Sequence, residues 1–151
     1  MDIHYILGSE ELLDNIKCLW EELNEMHLQK SINFKDFFSK NTFEARKKTL
    51  LAIAQKGQML IILAYENDVL IGYCIASLVD EIGEINSLFV SENYRTCGVA
   101  TCLMDTSLNW LSQKNPSKTV VKVSIGNETV FEFYARYGFL PRFTELEMVS
   151  K

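Results

Sequence analysis

Proline is scarce in this chain, with two in 151 residues, and glycine numbers only seven. No stretch therefore reads as a flexible linker between domains. There are two histidines, His4 and His27, and four cysteines with no C-x-x-C pair. That set lacks the ligand spacing of a zinc site, so no metal is expected. Cys18, Cys74, Cys97 and Cys102 suggest no disulfide framework and are expected as reduced thiols. The longest apolar run, Met59 to Tyr65, is seven residues, against the roughly 20 needed to span a bilayer. The opening Met1-Asp2-Ile3-His4 has neither the basic stretch nor the long apolar core of a signal peptide. The chain is therefore expected in the cytoplasm. A basic excess is missing too: the net charge is −5, whereas a nucleic-acid binder needs a basic face to displace counterions.

What is present is the composition of a soluble globular chain, 48% hydrophobic and 23% charged. Its length suits one core, so residues 1–151 are read as a single domain. Charge is unevenly placed. Residues 1–94 carry 8 basic and 15 acidic side chains, net −7, while residues 95–142 carry 6 and 3, net +3. This would suit a second half holding a polyanionic ligand and a first half holding a cationic one.

Ile3 to Leu7 reads as a short strand. Ser9 is a plausible cap, followed by Glu10 and Glu11 where carboxylates suit the helix dipole. Leu12, Ile16, Leu19, Leu23 and Met26 recur at helical spacing and predict a helix over about 10–28. Residues 30–40 are irregular, with a helical turn at Lys35-Asp36-Phe37-Phe38. Asn41-Thr42-Phe43-Glu44 resembles a capping box opening a helix to about Lys56, ended by Gly57. Strands follow at Met59–Tyr65, Val69–Val79 and Ile82–Val90, the first two as a hairpin about Glu66-Asn67-Asp68. A helix is expected over Val99–Ser112, a buried strand over Thr119–Ile125, a helix over Thr129–Tyr137 stopped by Gly138, and a last strand over Phe143–Val149. This order predicts a mixed α/β (α+β) sheet with helices on both faces.

One stretch carries chemistry. Leu88-Phe89-Val90 ends a strand, Ser91 to Tyr94 turn, and Arg95-Thr96-Cys97-Gly98-Val99-Ala100 opens a helix with small residues. The first turn of a helix leaves amides without intrahelical partners, and with the dipole they receive anionic oxygen. Gly98 and Ala100 permit close approach of a phosphate, and Arg95 adds a charge able to grip one. Some thirty residues later come Val120 to Asn127 and then Thr129-Val130-Phe131-Glu132-Phe133-Tyr134-Ala135-Arg136-Tyr137-Gly138-Phe139.

Together these segments resemble the Gcn5-related N-acetyltransferases, the GNAT family. The R-x-x-G-x-A turn is similar to that family's acetyl-CoA pyrophosphate loop, and N-x-x-x-x-x-x-Y-x-x-x-G-F to its second cofactor segment. The resemblance covers about 59–149 and is weaker over the first two helices. It implies a mostly antiparallel sheet splayed between two parallel strands, here around Ile85–Val90 and Val120–Ile125, with the pantetheine arm of acetyl-CoA in the gap. It implies that Leu88, Phe89 and Val90 offer main-chain groups to the acetyl end and the arm, with an amide near Leu88 polarising the thioester carbonyl. The amides of Arg95, Thr96, Cys97, Gly98, Val99, Ala100 and Thr101 would hold the pyrophosphate, and Asn127 the arm. Two departures stand out: Thr96 where the family usually has glycine, and Ala100 where a final glycine is commoner. Thr96 would strain the loop only if its φ were positive, which is not expected.

The implied reaction is N-acetylation of a primary amine. An alkylamine with a pKa of ~10.4 needs roughly 4–5 kcal/mol to be deprotonated at pH 7, and the expelled thiolate gains from a proton donor. Tyr134 matches the family's general-acid tyrosine. For the base, Glu84 lies 11 residues before Arg95, and simple alternation puts Glu84, Asn86 and Leu88 on one face. Asp80, Glu81 or a water chain are its rivals. Cys97, near the helix start, is expected to outreact Cys18 and Cys74 and to be shielded by bound CoA. The acidic residues Glu21, Glu22, Glu25 and Asp36 favour a small cationic acceptor. Two other readings are an acetyltransferase acting on a protein lysine or N-terminus, and a non-catalytic acyl-CoA-binding regulatory module. A closed pocket lined by Trp20, His27, Phe34, Phe37 or Phe38 would favour the small molecule. A homodimer is expected by analogy alone.

Overall fold

Strands that are apolar along their whole length need cover on both faces, and the central pair here has it. A computed structural model describes residues 2–149. Five strands, β1 (Ile3–Gly8), β2 (Gln58–Glu66), β3 (Val69–Val79), β4 (Ile82–Val90) and β5 (Lys118–Val121), form one sheet in chain order. The helices are α1 (Lys17–Lys30), α2 (Lys35–Lys40), α3 (Phe43–Lys56), α4 (Val99–Ser112) and α5 (Phe131–Ala135). On one face Trp20, Phe43 and Leu50 pack with Ile61, Leu63, Tyr73, Ile75 and Phe89. On the other, Val99, Leu103, Met104 and Leu111 of α4 pack with Ile62, Cys74, Ala76, Ile85 and Val90, and Phe133 and Tyr134 of α5 join them.

The ladders are antiparallel from β1 to β4 and parallel between β4 and β5. β5 pairs Lys118–Val121 with Ile82–Ile85 and then leaves. The expected strand over Thr119–Ile125 is therefore cut at Val121, while β4 runs on alone to Val90. At that same point β4 carries a bulge: Ser87 faces Ile75 and Ile85 faces Ala76, so Asn86 has no partner on β3. The extra residue reverses the alternation. Glu84, opposite Ser77, lies on the sheet face of α1 and α3, whereas Leu88, opposite Cys74, lies on the α4 face. The expectation that Glu84 and Leu88 share a face is thus corrected.

Other local readings shift for identifiable reasons. The helix expected over 10–28 starts as a 3-10 segment, Glu10–Ile16, before α1. Ser9 does not cap it, because its hydroxyl donates to the Met59 carbonyl at 2.8 Å. The cap of α3 is Thr42, whose Oγ1 accepts from the Ala45 amide at 3.2 Å. Glu44 then falls one residue early for a reciprocal box. Gly57 ends α3 as expected, and the position requires glycine because a Cβ there would lie 2.0 Å from the Leu78 carbonyl oxygen. Thr129–Tyr137 divides into a 3-10 turn, Glu128–Val130, and α5. Gly138 stops it as expected, at φ +90°. The amides of Gly138 and Phe139 donate back to the carbonyls of Ala135 and Tyr134 at 3.0 and 3.1 Å, a left-handed helix stop that fixes the Tyr134 backbone. The last strand, Phe143–Val149, does not form; Leu146 and Met148 are 91% and 94% exposed. Alternation is necessary for a strand, but ladder bonds need a neighbour, and β5 offers only four residues.

Candidate active site

The turn after β4 is built to leave amides free. The amides of Tyr94, Arg95 and Cys97 close short turns onto Ser91, Glu92 and Tyr94. Gly98, at φ +79°, caps α4, and a Cβ there would touch nothing within 4 Å. Glycine is therefore required by the backbone angle and not by space. Thr96 is absent from the left-handed positions, so the loop tolerates its side chain as expected. The first helical bond runs from the Cys102 amide to the Gly98 carbonyl at 3.1 Å. The amides of Gly98, Val99, Ala100 and Thr101 precede it and bond no carbonyl among the described residues. Arg95 folds back: its Nε donates to the Val90 carbonyl at 3.0 Å and its guanidinium lies 5.4 Å from the Phe89 ring centroid. The side chain thus ties the helix start to the end of β4.

Where β4 and β5 part there is a cleft of about 90 Å³. Its walls include Ile85 to Leu88 of β4, Val121 to Ser124 of the departing chain, Leu23 and His27 of α1, Asn127, and Tyr134. Burial, and secondarily the nearby Cys74 thiol, pushes the Tyr134 phenol above its ordinary value. Asn127 is 8% exposed and its Oδ1 accepts from Lys30 Nζ at 3.1 Å. A Cβ on Gly126 would lie 2.3 Å from the Lys30 carbonyl oxygen, so the end of α1 is pressed against this loop.

Leu88, Asn127 and Tyr134 therefore meet in one cleft, and the amides from Gly98 to Thr101 stand beyond the end of β4. Glu84 is not in the cleft wall; its nearest cation is Lys122, Nζ to Oε2 at 3.9 Å. Of the five side chains expected for a closed acceptor pocket, only His27 lines the cleft. Trp20 is buried against Phe43, and Phe37 is 60% exposed. Glu21, Glu22, Glu25 and Asp36 are all exposed, and none lines the cleft. Cys97 is exposed, as is Cys18, whereas Cys74 is buried and its thiol is pushed up to about 12 by desolvation. Arg46 was not singled out from the sequence: from α3 it donates to the carbonyl of the bulge residue Asn86 at 3.1 Å. A polar asparagine inside an apolar strand was the available signal for the bulge.

The model of the acetyltransferase (GNAT) family matches residues 19–139, and the chain belongs to that family. It is an acetyltransferase of the class that uses acetyl-CoA as co-substrate to acetylate nitrogen. The chain is similar in fold to a protein of Pyrococcus furiosus, at 22% identity and TM-score 0.70, covering 97% of this chain and 100% of that one. It is similar also to the PaiA N-acetyltransferase of Thermoplasma acidophilum solved with coenzyme A (17%, TM-score 0.74, 96% and 94% covered). A third is the aminoglycoside N-acetyltransferase AAC(6')-Iy, solved with a bisubstrate analogue (16%, TM-score 0.66, 100% and 99% covered). Among curated proteins there is no significant sequence match. No helix among the described residues is long and apolar enough to cross a membrane.

Proposed function

We propose that the chain transfers acetyl from acetyl-CoA directly to the primary amine of a small cationic molecule, with Tyr134 as general acid. The observation that carries this reading is the cleft at the parting of β4 and β5, which Leu88, Asn127 and Tyr134 line together. The pyrophosphate rests on the amides of Gly98 to Thr101, where four unpaired donors and the α4 dipole face it. The pantetheine arm lies along Asn86–Val90, the part of β4 without a β5 neighbour, and also meets Asn127. The amine attacks the thioester carbon, the C–S bond breaks, and the thiolate takes the Tyr134 proton. A phenol held above its ordinary value is fully protonated at neutral pH, as a general acid must be. Cys97 sits in the same loop and is shielded when coenzyme A is bound.

The acidic balance of residues 1–94 favours a small cationic acceptor. The test is calorimetric titration with coenzyme A, followed by a screen of primary amines with acetyl-CoA that reads free thiol. Binding together with acceptor-dependent thiol release is the expected result. Absence of heat on titration would sink the reading.

A further inference from the structure

Among the described residues, two buried side-chain polar atoms lack a hydrogen-bond partner: His27 Nδ1 and Asn86 Oδ1. Both residues line the cleft that Tyr134 lines. Buried polar atoms are nearly always paired, and the exceptions call for a ligand or a function. Neither residue arrives there by accident of a loose loop. His27 stands one turn after Leu23 on α1, and both face the cleft. Its ring packs on Phe38 of α2, with centroids 5.5 Å apart. Asn86 is the bulge residue of β4, and its carbonyl is held by Arg46 at 3.1 Å.

We infer that these two atoms receive the nitrogen of the acceptor amine, and that His27, not Glu84, takes its proton. This rests on the acetyl-transfer reading and names the base for it. Both atoms act as acceptors: an amide oxygen always, and Nδ1 when the hydrogen sits on Nε2. They therefore complement a group with two N–H donors, which is a primary amine or its ammonium form. Glu84 does not line the cleft, and its carboxylate is beside Lys122.

The ammonium gives its first proton to His27 Nδ1, and the ring passes one from Nε2 to solvent. The free amine forms the C–N bond, the C–S bond breaks, and Tyr134 protonates the sulfur. By proton exchange with solvent the ring returns to the Nε2–H tautomer, its Nδ1 takes the second amine proton, and solvent restores one proton to the Tyr134 phenolate. The net change is one amide, one thiol and one proton released per ammonium.

The groups facing His27 are mostly cationic or neutral. Lys30 lies on its own helix, and Lys35 of α2 reaches the carbonyls of Leu28 and Gln29. Lys122 and Tyr134 line the far wall, with Glu84 beside Lys122. Burial, then Lys30, holds the imidazole below its ordinary value. It is thus neutral and able to accept at pH 7, and it becomes blocked only in more acidic solution.

The chain has two histidines, so nitrogen-15 imidazole spectra of the coenzyme A complex contain two rings, assigned with a His4→Gln variant. Titration with n-butylamine should move the His27 Nδ1 resonance and leave His4 in place. With the amine turned over fastest in the thiol-release screen, kcat/KM of the unaltered chain should fall on the acid side. His27→Gln should lower kcat by about 100-fold or more and abolish that acid limb, with coenzyme A affinity unchanged. A His27 resonance that stays fixed while coenzyme A is bound overturns the assignment of the base and leaves acetyl transfer standing. So does a His27→Gln chain that keeps both kcat and the acid limb. Failure of coenzyme A to bind overturns both.

Discussion

The two halves of β4 share one neighbour and differ in the other. From Ile82 to Ile85 the strand is paired with β3 and with β5, and both edges are closed. From Ser87 to Val90 it keeps β3 and loses β5, and the bulge residue Asn86 between the halves pairs with neither. In the open half, two arginines hold single carbonyls: Arg46 that of Asn86 and Arg95 that of Val90. The closed half is a structural ladder, and the open half is a backbone edge free to pair with another extended chain, the role proposed for the pantetheine arm. A sheet edge is normally a hazard. Here it is kept short and recessed between α1 and α5.

The contrast can be broken at several points. The largest effect is expected from Tyr134→Phe, which keeps the ring against Phe133 and Phe139 but removes the acid. Turnover read by thiol release should drop by about 100-fold or more, with coenzyme A affinity nearly unchanged. Arg46→Met removes the donor that pins the bulge and leaves the Asn86 carbonyl unpaired, at a cost of about 1–3 kcal/mol. Thermal unfolding should register it, and the Michaelis constant for the amine should rise. Gly98→Ala meets no steric obstacle, so its cost is conformational, about 1–2 kcal/mol for a left-handed residue. That is a fall in Tm of very roughly 2–8 °C at 2–4 °C per kcal/mol, with weaker coenzyme A binding by calorimetry.

A pH experiment sharpens the picture of the floor beneath the cleft. Cys74 opposite Leu88 is raised to about 12, and Tyr134 is raised as well, both chiefly by burial. Groups raised on folding stabilise the native state fully below their unfolded values and lose that contribution as pH climbs toward the folded ones. Stability should hold to about pH 8.5, where a free thiol begins to ionise, and then decline toward 12. Cys74→Ala should delay the onset of that decline, as measured by urea unfolding across the range. The smallest effect belongs to the exposed end of the chain: Leu146→Asp should change stability by no more than ~0.5 kcal/mol, checked by the same unfolding curves.

The site was legible where its chemistry is local. The R-x-x-G-x-A turn marked the start of α4, where the first amides are free, and the Gly138 stop lies one turn after Tyr134. The helix over Val99–Ser112 and the strands over Val69–Val79 and Ile82–Val90 appear with the expected bounds. What misled was a rule of alternation applied across Asn86, where one extra residue reversed the faces and carried Glu84 away from Leu88. The contact of Lys30 with Asn127 spans 97 residues, and that of Arg46 with Asn86 spans 40. No local pattern encodes either.

Periodicity, turn chemistry and two short motifs were enough to indicate the family, the order of elements from β1 to α5 and the glycines that bound α4 and follow α5. Those properties depend on neighbours within a few residues of one another. Where β5 abandons β4, which face Glu84 takes, and that His27 and Asn86 come to share a cleft depended on packing among α1, α3 and the sheet. Such contacts join residues far apart in the chain, and their free energies are settled only when the whole core closes.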